Sequence, residues 1–163
     1  MLTNRSFVAV VGALIAILVA PAPPAWAAPK PPDPRYDVVD SWSDATGATV
    51  YLRRGSWNGK TGWGYEKVTR YHNLNVAAVR LTTRYPESRS LVAGTKYNYV
   101  TPVHHVRCSG WWLFRRCEIV ETVDVTVGVD FRNVGSGSFG VVTAFCSGDP
   151  KCPDWVRNAA NNR

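Results

Sequence analysis

Residues 117–131, CEIVETVDVTVGVDF, carry the strictest pattern in the chain: Val123, Val125, Val127, Val129 and Phe131 alternate with Thr122, Asp124, Thr126, Gly128 and Asp130. Successive side chains of a strand point to opposite faces, so this row is apolar on one side and polar on the other. Such a segment satisfies itself only as a half-buried strand of a sheet. FGVVTAFC at 139–146 is a second strand, with Phe139, Val141, Thr143 and Phe145 expected on one face. RNVGSGS between the two is a turn by its glycines and serines. KYNYVTPVHHVRC at 96–108 is a further strand that runs into SGWWLFRR at 109–116.

Upstream the period changes. In GWGYEKVTRYHN (62–73), Tyr65, Val68 and Tyr71 recur every three residues, which predicts a short helix over Trp63–Tyr71. His72 then stands at its C-terminal end, followed by Asn73, a residue suited to a helix cap. LNVAAVRLTTRYPES predicts a second helix through Val76, Val79, Leu81 and Tyr85, closed by Pro86. ATVYLRRG (48–55) is a short strand or arm, and SWNGKTG (56–62) a loop. The fold class is therefore α+β: one or two short N-terminal helices packed on an antiparallel sheet.

The first 27 residues belong to targeting. Arg5 precedes an uncharged apolar run from Phe7 to Ala20, then prolines, then Ala25-Trp26-Ala27. This is the pattern of a secretory signal peptide cleaved after Ala27, and the run falls short of the about 20 residues of a membrane span. An uncleaved anchor is the alternative. Residues 28–46 open on APKPPDPR and form a proline-rich leader or linker, leaving 47–163 as a single α+β domain. No later segment is apolar enough to cross a bilayer, so the expected product is secreted and extracellular.

The net charge is +7, carried almost wholly by the part after the signal peptide. An exported domain this basic favours polyanions: nucleic acid, anionic lipid or acidic cell-wall polymer. Plain solubility is the alternative. Four cysteines in an exported chain imply two disulfides, and local pairing, Cys108–Cys117 with Cys146–Cys152, is favoured because each pair brackets a turn-like insert. No histidine stands at metal-finger spacing near them, so no metal site and no cofactor is expected.

GWGYEKVTRYH (62–72), NVAAVRLTTRYP (75–86) and GVVTAF (140–145), taken in that order, resemble the barnase–EndoU–colicin–RelE group of small ribonuclease toxins. The likeness spans about residues 60 to 146, and each motif is short. It implies metal-independent RNA cleavage, in which a base removes the ribose 2′-OH proton and a 2′,3′-cyclic phosphate forms. RNA is then the partner, and a neutralising immunity or inhibitor protein a second one. Such chemistry needs a group titrating near neutrality and donors or cations on the phosphate. The matching position for the base is His72, and Thr143 matches the strand threonine that donates to the phosphate. The cation is expected to be Arg80, with Lys67, Arg70 and Lys96 as further candidates. His104 or His105 could supply a second histidine, but neighbours on a strand face opposite sides, so at most one reaches a site.

Each residue has a structural alternative. A histidine at a helix C-terminus is favourable to the dipole alone, and Thr143 could simply fill a strand. In CSGWWLFRRC (108–117), tryptophans and arginines sit between two cysteines, which predicts a disulfide-closed hairpin tip. Trp111 and Arg115 there could stack on bases and hold phosphates, and the same pairing suits a sugar platform or a membrane interface. A second function follows: a non-catalytic secreted module that binds a cell-surface polyanion or glycan through hairpin 108–117. A third is a secreted inhibitor or a disulfide-stapled structural domain with no site.

Overall fold

The computed structural model describes residues 32–161. The expected signal peptide and the start of the leader lie outside them. Val38–Ser43 (β1) pairs antiparallel with Thr49–Arg53 (β2). Asp44 holds the turn between them: its Oδ1 accepts from the backbone N–H groups of Thr46 (2.8 Å) and Ala48 (2.9 Å), the local bond that makes aspartate a turn former. A smaller hairpin joins Ser56–Trp57 (β3) to Gly62–Trp63 (β4). Two helices follow, Gly64–Arg70 (α1) and Val76–Arg84 (α2), the second capped by Asn75, whose side chain accepts from Ala78 N (2.8 Å).

Ser88–Ala93 (β5), Lys96–Ser109 (β6), Arg116–Asn133 (β7) and Ser138–Cys146 (β8) form one antiparallel sheet in that order. A last helix, Asp154–Asn161 (α3), closes the described chain. The class is α+β, with the disulfides Cys108–Cys117 and Cys146–Cys152. The alternating run behaves as its pattern requires: Val125, Val127 and Val129 are buried with Tyr99, Val141, Ala144, Ala78, Val79 and Val156 in one core.

Three expectations change. The two expected helices form, but among the described residues β1 to β4 precede them. The domain begins before residue 47: β1 lies within the segment assigned to the leader, and its Trp42 is buried in the core with Nε1 donating to Thr83 Oγ1 (2.6 Å). Finally, Thr143 does not share a face with Val141. Gly128 pairs with Thr143 and the adjacent Val129 pairs with Val141, so β8 carries one extra residue, Val142, at a bulge. Gly128 and Val129 face opposite sides of β7, and so therefore do Thr143 and Val141.

The edge of β8 meets β2. Gly140 takes a φ of +92°, and a Cβ there would lie 2.0 Å from the Tyr51 carbonyl oxygen, so only glycine lets the two backbones approach. Beside it the buried Arg53 donates to the carbonyls of Tyr36 (2.7 Å), Ser136 (2.9 Å), Ser138 (2.9 Å) and Phe139 (3.2 Å). The guanidinium fork thus ties the segment before β1 to the turn entering β8 and to the first two residues of that strand.

Candidate functional site

Helix α1 stops because Asn73 adopts a left-handed φ of 57° and the N–H of Leu74 bonds back to the Val68 carbonyl (3.1 Å). Asparagine tolerates that conformation better than most residues. The reversal turns His72 inward, 4 % exposed, against β8.

Both ring nitrogens of His72 are engaged. Nδ1 lies 2.5 Å from the Pro150 carbonyl oxygen, which can only accept, so Nδ1 carries the proton and donates. Nε2 is then the bare nitrogen, and it accepts from the Thr143 hydroxyl at 3.2 Å. The bulge at Val142 is what aims Thr143 at it. The loop bearing Pro150 is held at several points: by the Cys146–Cys152 disulfide, by Cys152 N donating to the His72 carbonyl (3.0 Å), and by Asn73 Nδ2 donating to the Cys152 carbonyl (2.9 Å). A carbonyl orienting a histidine that in turn engages a hydroxyl is the geometry of an oriented base.

Burial pushes the His72 pKa below its ordinary 6.5; the Pro150 bond opposes this and the charge of Lys67 adds to it. The imidazole is therefore neutral at pH 7, the state a base requires. Lys67, on α1, is itself held below its usual value by burial. The Tyr71 ring meets His72 edge-on at 4.6 Å and stacks on Trp57 at 4.5 Å, while Phe145 lies 6.1 Å from the His72 ring.

On the sheet, Thr143, Gly128 and Asn98 stand opposite one another on β8, β7 and β6. A Cβ at Gly128 would come within 3.4 Å of both the Thr143 methyl and Asn98 Oδ1. Thr143, Val142, Gly128, Asn98 and Lys96 line a hollow of about 130 Å³. Thr143 thus touches both His72 and the hollow that Lys96 lines, while Lys67 reaches His72 through its charge.

The other candidates are placed elsewhere. Arg80 pairs with Asp40 of β1 and lies over the Trp42 ring at 5.5 Å. It lines a larger hollow of about 520 Å³ with Ala77, Arg84 and Tyr85, which does not include His72. Arg70 is exposed and paired with Glu66 at 2.6 Å. His104 and His105 do face opposite ways: His105 stacks on Trp155 at 4.9 Å, and His104 Nδ1 meets Thr122 Oγ1 at 2.9 Å. His104 is six positions from Asn98 along β6, roughly 20 Å at the rise of a strand, so it is no second base for this site. Ser109, at the foot of the Trp111–Arg115 tip, is eleven positions from Asn98, roughly 36 Å on the same scale. Among the described residues no group of three or more His, Cys, Asp or Glu side chains converges as a metal site would need.

Sequence reasoning missed Asn98, the Trp57–Tyr71 stack and the Pro150 carbonyl. Only the last had a signal, since the short Cys146–Cys152 spacing makes the intervening loop fold back. No protein-family model, curated protein or solved structure matches the chain.

Proposed function

We propose that the chain is a metal-independent ribonuclease that cleaves RNA by 2′-OH transesterification at the His72–Thr143 pair. The observation that carries this reading is the bond between the Thr143 hydroxyl and the bare Nε2 of a histidine that is neutral at pH 7. Because His72 is buried and Thr143 is partly exposed, the substrate oxygen meets the threonine first. The ribose 2′-OH gives its proton to the Thr143 oxygen as Thr143 gives its own to Nε2. The 2′-oxygen attacks the adjacent phosphorus, and the 5′-oxygen leaves with a proton from solvent. A 2′,3′-cyclic phosphate and a 5′-hydroxyl result. Lys96 and Lys67 offset the charge that grows on the phosphate. Threonine is thus a relay here, where the resemblance cast it as a phosphate donor.

The test is cleavage of a single-stranded RNA by the purified protein, with the product ends identified. Thr143→Val should lose activity and Thr143→Ser should keep most of it. A second reading, a non-catalytic module that binds a polyanion or glycan through hairpin 108–117, is favoured by the exposure of the hairpin tip. On that reading His72 only clasps α1, β8 and the Pro150 loop, and RNA stays intact.

A further inference from the structure

Strands β6 and β7 outrun the sheet. β5 begins opposite Val100 and β8 ends opposite Val125, yet the β6–β7 pairing continues to Ser109 and Arg116. Val103 and Val123 still pack against the core and His105 stacks on Trp155 of α3; past Val106 and Ile119 the two strands form a projecting arm. Its neck is the Cys108–Cys117 disulfide, and its end is a tight turn in which Phe114 N bonds to the Trp111 carbonyl (3.0 Å). Gly110 permits that turn: at φ +88° a Cβ would stand 2.3 Å from the Phe114 carbonyl oxygen.

The turn exposes its entire apolar content. Trp111, Trp112, Leu113 and Phe114 are 84, 80, 79 and 82 % exposed. Four consecutive bulky apolar side chains at the far end of an arm cost solubility and add nothing to the core. Arg107, Arg115 and Arg116 flank the neck in sequence, against one acidic residue there, Glu118, which pairs opposite Arg107.

We infer that this tip docks the protein on an anionic lipid bilayer, with Trp111–Phe114 entering the interface and the three arginines at the headgroups. The shape decides the class of partner. The tip is convex and set apart from the body, so it enters a soft surface more readily than it receives a rigid ligand. Tryptophan favours the headgroup boundary, and clustered arginines add attraction to negative lipid. Leu113 has no aromatic face to stack on a base and no polar group for a sugar, but it partitions well into acyl chains. The inference is independent of the ribonuclease reading.

Co-sedimentation of the chain starting at Ala28 with vesicles tests it, using phosphatidylcholine alone and phosphatidylcholine mixed with phosphatidylglycerol. Binding is expected to the mixed vesicles and to weaken with salt, and brominated acyl chains should quench the tryptophan emission. The double variants Trp112→Ser/Leu113→Ser and Arg115→Gln/Arg116→Gln should each bind at least about tenfold more weakly. Their melting temperatures should not change, since these side chains are exposed. Thr143→Val should bind as the parent does, so loss of cleavage and loss of docking are separable. No binding to anionic vesicles, or binding undiminished in the Trp112/Leu113 variant, would overturn the inference. So would a tip that binds single-stranded RNA and leaves vesicles alone.

Discussion

Thr143 Oγ1 lies 3.2 Å from His72 Nε2, although the two residues are 71 positions apart. The contact joins the end of α1 to the middle of β8. It exists because a one-residue bulge turns Thr143 away from the core face that Val141 occupies. The opposite ring nitrogen is fixed by Pro150, so the proton-accepting position points at the threonine.

The pH dependence follows from the direction of the His72 shift. Burial depresses its pKa below 6.5, so the acid limb of RNA cleavage should fall below that value and the rate should be flat from there to neutrality. Stability has the same sign. The unfolded chain binds the His72 proton more readily, so the His72 contribution is complete above about pH 6.5 and is lost as pH falls through the depressed value. Urea midpoints at pH 7.5 and 5 should differ in the parent, and the difference should shrink in His72→Gln. Asp44 and Asp130, both held below their ordinary 3.8, act only at lower pH.

The two disulfides should separate by function. Each closes a short loop, with separations of 9 and 6, and removing either should cost about 2–3 kcal/mol. Cys146→Ala/Cys152→Ala also frees the Pro150 loop and should lower RNA cleavage. Cys108→Ala/Cys117→Ala should leave cleavage intact. Calorimetry and rates on the two double variants check this.

The junction of β2 and β8 should be intolerant. Gly140→Ala needs β2 to move away from the Tyr51 carbonyl contact and forces a side chain into positive φ, at a cost of more than about 2 kcal/mol. Arg53→Met leaves the carbonyls of Tyr36, Ser136 and Ser138 without their donor and should cost at least about 3 kcal/mol. Equilibrium denaturation reads both.

Much of the sheet was legible because period-two alternation over Val123–Phe131 admits few alternatives, and the local cysteine spacings pointed to the observed pairs. The bulge at Val142 was not legible, because it depends on which β7 residue each β8 residue meets. Arg80 shows the same limit. Its place on α2 followed from sequence, but its direction follows from packing against β1, and its partner Asp40 lies where a leader was expected. Helix α3 follows the second disulfide in a short polar tail, and it becomes a helix with Val156 buried in the core. His72 was singled out as a base by the resemblance, its helix-end position alone being compatible with a cap; its burial and its two partners came only from the fold.

The most direct measurement of the central claim is cleavage of a short single-stranded RNA by the parent, Thr143→Val and Thr143→Ser in the presence of EDTA. The proposal predicts 2′,3′-cyclic phosphate ends and no cutting at a 2′-deoxy linkage. It predicts a loss of about 10²–10⁴-fold for Thr143→Val, the scale of one proton-transfer group, with activity largely kept by Thr143→Ser. Intact RNA with the folded parent, or a Thr143→Val protein that cuts as fast as the parent, would contradict it.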